Sequence, residues 1–205
     1  MKAKNVILLF VLTIVVIIVL YTVYGSKDQT SYVSRIKQER DEKDQFFRSS
    51  PESPFAAEPE KFTGLKYYKA DLKYKITATL THIAQKKQVT LATNDGKQER
   101  YVEYAYAEFD FSGFSNKLLI LEMIDEGPSR GKLFLAFGDG TSAKETYGAG
   151  RYLDVEKATG SNTLTLDFNK AYNPYCAYSY KFSCPLPPAE NLLIIPIEAG
   201  EKSYH

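Results

Sequence analysis

The sequence predicts an all-β domain, an antiparallel sandwich or partly closed barrel, behind an N-terminal transmembrane helix and a short helical stalk. Three observations predict it. Residues 6–23 form one uncharged apolar run, residues 26–50 are charged with helical spacing, and after residue 50 the apolar residues alternate with period two. Composition agrees, because 16 Tyr and 12 Phe favour pleated, half-buried surfaces.

The run VILLFVLTIVVIIVLYTV matches a bilayer core: Asn5 to Tyr24 spans roughly 30 Å as a helix at about 1.5 Å per residue. Lys2 and Lys4 precede it, and Tyr21 and Tyr24 fall where an interfacial aromatic belt sits. A cleaved signal peptide is the rival reading, but the run exceeds the usual apolar length and no A-x-A site follows. A short basic tail before the span, with one long domain after it, predicts a single-pass cell-membrane protein with its domain extracytoplasmic. Three segments follow: an anchor over 1–25, a stalk over 26–50 and a β domain over 51–205.

In the stalk, Val33, Ile36, Arg40, Lys43 and Phe47 share one helical face of apolar groups and aliphatic stems. Ser49, Ser50 and Pro51 end the helix. Its expected role is a solvated stalk docked through Phe46 and Phe47; a partner-binding helix is the alternative. Residues 50–62 read as an extended connector. Strands follow at KYKITATLT, with Tyr74, Ile76, Ala78 and Leu80 on one face, and at the run holding Val89 and Leu91. Asn94-Asp95-Gly96-Lys97 forms a hairpin turn, since Asn, Asp and Gly tolerate positive φ. The return strand QERYVEYAYAEFDF is long enough to bend or bulge. LLILEMI (118–124) is apolar on both faces and therefore central, DEGPSRG (125–131) turns the chain, and KLFLAF (132–137), TLTLDF (163–168) and LLIIPI (192–197) complete the set.

Polar, Gly, Pro, Tyr and Cys residues crowd into 134–201, where a site is expected. Cys176 and Cys184 are the only cysteines. Outside the cytoplasm such a pair is expected to form a disulfide, stabilising by about 2.6 kcal/mol for a nine-residue loop. Metal ligation is disfavoured because only His82 and His205 could join the thiolates. In GDGTSAKETYGAGRYLD (138–154), Asp139 to Ser142 suit a tight turn with side-chain to backbone hydrogen bonds, and Gly148 and Gly150 suit positive φ or close backbone approach. The G-A-G is too short for a phosphate loop, and no cofactor motif is present. A buried Arg151 needs a carboxylate, and Asp167, ending an apolar strand, is the natural one. This cluster reads either as a structural Arg–carboxylate network or as an Arg-based site for an anion or carboxylate, flanked by Tyr147, Tyr152 and Tyr172. Asp139, Glu145, Tyr147, Arg151, Asp167, Asn169, Tyr172, Asn173 and Glu190 are the candidate ligand contacts.

Catalysis has thinner support. No G-x-S-x-G is present, and His82 lies in a strand pattern. Glu145 with Asp139 or Glu190 would make a carboxylate pair, and Arg151 would stabilise charge in a hydrolase. A net charge of +1 gives no general attraction to nucleic acid.

The segments KDQFFRSSPESPF (43–55), FTGLKYY (62–68), LFLAFGDGTSAKETYGAGRYLD (133–154) and LDFNKAYNPYCAYSYKFSCPLPPAENLLIIPIEAGEK (166–202) resemble the bacterial family named "domain of unknown function 1684". The resemblance covers about residues 40–202 and implies domain limits, with no activity attached. The expected role is binding of a small polar ligand, a glycan or an envelope protein at the 138–191 loops. A hydrolase and a purely structural envelope protein are the alternatives.

Overall fold

The computed structural model describes residues 3–125, 128–157 and 160–205, without the side chains of 3–9 and 17–27. One helix, α1 (Ala3–Ser49), precedes the β domain. Much of the apolar run 6–23 therefore lies on side chains outside the described residues. Among the described residues, no helix is long and apolar enough to cross a membrane.

The lower half of α1 is not a free stalk. Tyr32, Ile36 and Phe47 are buried, and Arg40 and Lys43 are half-buried between them. The spacing of these five puts them on one face, which shares four members with the predicted stripe and has Tyr32 in place of the half-buried Val33, and this face docks lengthwise on the domain. The helix stops where Ser53 folds back, its hydroxyl donating to the Phe47 carbonyl at 2.6 Å. Residues 51–62 are not extended but form turns and a 3-10 turn at Pro59–Lys61. The reason is aromatic burial: Phe55 and Phe62 join Phe47, Tyr178 and Tyr204 in one cluster under the end of α1.

Eight strands follow: β1 (Lys75–His82), β2 (Gln88–Ala92), β3 (Gln98–Phe111), β4 (Phe114–Met123), β5 (Leu133–Phe134), β6 (Ala136–Phe137), β7 (Arg151–Tyr152) and β8 (Thr163–Asp167). Six make an antiparallel sheet in the order β5-β4-β3-β1-β8, with β2 also on β3; β6 and β7 form a separate pair. The domain is mostly β and antiparallel, as expected. Its sheet is open, so the barrel reading is corrected: the first half of β3 pairs with β2, the second half with β1, and no strand among the described residues closes the circuit.

The predicted bulge in β3 decides which residues form which core. Register against β4 slips between Glu103 and Ala105. One extra residue reverses the facing of everything before it. Tyr101 thus joins Leu119 and Leu121 on one face, while Ala105, Ala107 and Phe109 join Leu118 and Ile120 on the other. Both faces of β4 are covered, which is why its sequence is apolar throughout. The Asn94–Lys97 turn forms as expected, with the Thr93 amide donating to the Lys97 carbonyl at 3.0 Å and Gly96 at φ +82°.

The expected strand at 192–197 is not a regular strand. Leu193, Ile195, Ile197 and Ala199 are buried, and Leu192 and Ile194 are exposed, so the segment is extended with alternate facing although its sequence does not alternate. The segment runs beside Gly138–Gly140 through backbone bonds from Leu193 N to Gly138 O (2.8 Å) and Gly140 N to Ile195 O (3.0 Å). Pro196 has no amide to continue the ladder.

Candidate functional site

The 138–202 region separates into a sealed ion pair and an open cleft. The sealed part is built on Arg151, which is 1% exposed. Its Nη2 donates to Asp139 Oδ2 at 2.7 Å and to the Ile197 carbonyl at 2.9 Å. Its Nη1 donates to the Glu201 carbonyl at 3.3 Å and to the Ala199 carbonyl. The other Asp139 oxygen accepts from the Thr141 amide (2.7 Å), the Thr141 hydroxyl (2.6 Å) and the Ile197 amide (3.3 Å). These bonds form the tight turn predicted at 139–142. Gly150 stands next to Arg151 at φ +88°, where a Cβ would lie 2.7 Å from the Phe137 carbonyl oxygen. The carboxylate partner is therefore Asp139, correcting the choice of Asp167. The reason is topological: β7 returns beside β6, whose end leads directly into Asp139.

Asp167 works elsewhere. It accepts from the Tyr32 hydroxyl at 2.6 Å and from both nitrogens of Asn169 at 3.2 Å, so it holds α1 to the end of β8. Burial and this carboxylate raise the Tyr32 pKa. Asn169 extends the link: its Nδ2 donates to the Asp71 carbonyl (2.8 Å) and its Oδ1 accepts from the Asp71 amide (2.9 Å).

A second carboxylate, Glu201, is 0% exposed and holds the next turns of α1. It accepts from Lys43 Nζ (3.1 Å), Asn173 Nδ2 (2.9 Å) and the Tyr178 hydroxyl. Sequence reasoning does not find Glu201. Its one signal is Gly200 at φ +74°, where a Cβ would stand 2.5 Å from the Ala171 carbonyl oxygen, so the chain must pass close to the site. Arg40 gives more than an aliphatic stem. Its guanidinium donates to the carbonyls of Tyr68 (2.9 Å) and Asn169 (3.1 Å) and stacks 4.4 Å over the Tyr67 ring. Burial lowers its pKa, since desolvation opposes the charged form.

Between α1 and the 154–175 loop lies a cleft of about 540 Å³. Glu39, Arg40, Lys43 and Phe46 form the α1 wall, and Asp154, Glu156, Lys170, Tyr172 and Tyr175 form the other, over Tyr67 and Asn169. Its charges are largely matched internally: Lys170 with Glu39 at 2.8 Å, Lys43 with Glu201, and Asp154 accepting from the Tyr172 hydroxyl at 2.7 Å. Arg40 Nε and the Tyr67 hydroxyl, both buried beneath it, make no hydrogen bond among the described residues.

Of the candidate contacts, Asn169 and Tyr172 line this cleft and Asn173 supports it through Glu201. The others do not converge there. Glu145 is exposed, and its backbone carbonyl accepts from the Ser203 amide. Glu190 accepts from the Tyr106 hydroxyl at 3.2 Å. Tyr147 points to Cys176 Sγ at 3.7 Å. Asn191, 0% exposed, crosslinks the backbones of Leu119 and Ala136.

The expected disulfide is absent: Cys176 and Cys184 are free thiols. The loop is closed without it, by Cys176 N to Cys184 Sγ (3.3 Å) and by Cys184 N to Asn94 Oδ1 (2.6 Å). A hydrogen bond from the Cys184 thiol, aided by the Tyr147 hydroxyl and opposed by burial, lowers the Cys176 pKa to about 7. The same bond and burial push Cys184 up. No group of three or more metal-ligating side chains occurs among the described residues.

Comparison with known proteins identifies relatives without assigning chemistry. No curated protein matches. The solution NMR structure of an uncharacterised protein from Haloarcula marismortui is similar, with 37% identity and a TM-score of 0.65, over 87% of this chain and 99% of that one. That share of this chain exceeds what residues 51–205 make up, so the likeness takes in part of α1. The family described as "Protein of unknown function (DUF1684)" matches residues 60–202, and the chain belongs to that family.

Proposed function

We propose that this protein is a membrane-anchored, extracytoplasmic binding domain that holds a neutral polyhydroxyl ligand, a glycan segment, in the cleft between α1 and the 154–175 loop. The observation that carries the reading is the wall chemistry of the cleft. Aromatic faces from Phe46, Tyr172 and Tyr175 stand beside the Lys170–Glu39 ion pair, Lys43 paired with Glu201, and Asp154 bonded to the Tyr172 hydroxyl. Such walls offer ring faces to the C–H surface of a sugar and charged acceptors and donors to its hydroxyls, without a net field selecting an ion.

The N-terminal part of α1 supports the anchor. Phe10, Val11, Leu12, Ile14, Val15 and Val16 are exposed on every side of the helix. The Thr13 hydroxyl donates back to the Phe10 carbonyl at 2.7 Å, satisfying itself as an apolar solvent requires. With the uncharged run 6–23 and the preceding Lys2 and Lys4, lipid is the fitting surrounding. The hydrolase reading loses its support, because Asp139 and Arg151 are sealed and paired with each other while Glu145 and Glu190 stand elsewhere.

Calorimetric titration of the full chain in lipid nanodiscs with N-acetylglucosamine oligomers tests the reading. Binding is expected to weaken about tenfold or more in Asp154→Ala, the loss of one charge-assisted hydrogen bond. Asp154 is exposed, so the melting temperature should not move. Absence of binding, or an unchanged affinity in the variant, refutes the glycan site. Binding of inorganic phosphate in place of the oligomers would make it an anion site.

A further inference from the structure

We infer that the end of the β domain carrying the β3–β4 hairpin rests on the phospholipid headgroup surface, with Phe114 inserted among the lipids. The inference rests on the anchor reading above and goes beyond it, because an anchored domain need not touch the bilayer. Here the helix leaves no room for separation.

The apolar run ends at Val23 and Tyr24. Docking on the domain begins by Gln29, whose Oε1 accepts from the Leu72 amide at 3.3 Å, and is complete at Tyr32. Five to eight residues of continuous helix separate the two, about 8–12 Å at 1.5 Å per residue. The headgroup layer on each side of a bilayer is about 5–7.5 Å deep, since about 40–45 Å in all encloses roughly 30 Å of hydrocarbon, so docking begins within a few ångströms of its outer edge. The domain surface around Leu72 is therefore held against the outer face of the lipid headgroups, where an exposed side chain can reach them.

That end of the domain carries suitable residues. Lys75 Nζ lies 5.7 Å from the centre of the Tyr32 ring, and its neighbour Tyr74 packs 5.4 Å from Phe111. Register places the hairpin at this same end: Thr79 faces Glu108, so the start of β1 lies level with the turn after Phe111. The turn is a two-residue hairpin with Ser112 at φ 53° and Gly113 at φ 81°, the twist that strand pairs favour. Immediately after it, Phe114 is 51% exposed. Lys73 and Lys75 are exposed nearby, and the acid next to the turn, Asp110, accepts from Ser115 Oγ at 2.6 Å. An exposed aromatic ring flanked by lysines is the composition of a membrane–water interface.

The chain contains no tryptophan, so Phe114→Trp introduces a single reporter at an exposed position. Full-length protein is placed in proteoliposomes with lipids brominated near the headgroup or deep in the acyl chains. Two companion variants are measured: Phe10→Trp within the span, and Tyr180→Trp. Tyr180 is 90% exposed and follows Tyr178, which packs on Phe47 at the far end of the docked helix. The expected result is a blue-shifted indole emission in Phe114→Trp that shallow bromines quench. Deep bromines should quench the emission of Phe10→Trp, and only aqueous acrylamide should quench that of Tyr180→Trp. Lipid quenching in Phe10→Trp, with Phe114→Trp behaving like Tyr180→Trp, overturns this inference and leaves the anchor standing. An emission from Phe10→Trp that lipid does not touch overturns both.

Discussion

Replacing Arg151 separates scaffold from site. In Arg151→Ala the buried Asp139 carboxylate loses its cationic partner, at 2.7 Å with both side chains essentially inaccessible. Three backbone carbonyls, at Ile197, Ala199 and Glu201, lose a donor. Breaking one partner of a buried pair costs about 3–5 kcal/mol, because a charge is left uncompensated in a poorly solvating interior. For a domain of this size each kcal/mol lowers Tm by about 2–4 °C, so the variant should melt roughly 6–20 °C lower. Arg151→Lys should recover only part of this, since an ammonium lacks the planar fork that reaches four separated acceptors. The assay is thermal and urea unfolding of the full chain followed by circular dichroism. Glycan titration of whatever remains folded should give the wild-type affinity. An Arg151→Ala protein melting within about 2 °C of wild type would refute the scaffold reading, for a shift that small corresponds to at most about 1 kcal/mol.

Two further outcomes follow from the docked helix and the thiols. Phe47→Ala removes the ring at the centre of the aromatic cluster, 5.1 Å from Tyr178 and 5.8 Å from Phe62, and should destabilise by about 3–5 kcal/mol in urea unfolding. A loss under about 1 kcal/mol, an ordinary single-substitution effect, would mean that the helix end is not part of the core. Alkylation of Cys176 by iodoacetamide should rise with pH through about 7 while Cys184 stays unreactive, and Tyr147→Phe should move that midpoint upward. Because the folded pKa lies below the usual thiol value of about 8.5, this contribution to stability is full above that value and fades as pH falls through about 7. A midpoint at the ordinary thiol value, or equal labelling of both cysteines, refutes the pairing.

What the sequence disclosed and what it hid divide along a physical line. Apolar content and turn chemistry are local properties, so the unbroken apolar run placed 118–121 at the centre of the sheet and Asn-Asp-Gly placed the Asn94 turn. Pairing is not local. Whether 192–197 becomes a ladder strand depends on Pro196 meeting a partner that needs an amide, and whether Arg151 chooses Asp139 or Asp167 depends on where β7 returns. The helical stripe of α1 was legible at Ile36 and Phe47. Its polar members were legible only as stems, because nothing local to Arg40 or Lys43 announces a carbonyl or a carboxylate that approaches from more than a hundred residues away. Glu201 was invisible for the same reason: a single acid near the terminus is ordinary until the fold closes over it.

The polar character of the α1 interface explains why a cleft exists there. An apolar stripe slides on an apolar surface at little cost, since dispersion and burial are not directional. Arg40 and Lys43 cannot slide: Arg40 is bound to the backbone carbonyls of Tyr68 and Asn169, and Lys43 to the Glu201 carboxylate that Asn173 and Tyr178 also hold. Removing either set of acceptors would strand a half-buried cation, so the helix is held at one register and one height. Between the aromatic cluster at Phe47 and the Tyr32–Asp167 contact, the helix and the 154–175 loop meet through polar side chains such as the Lys170–Glu39 pair, and the cleft lies among them. Helix docking and the open cleft are thus two results of one polar seam, and a ligand in the cleft would touch α1 and the β domain at once.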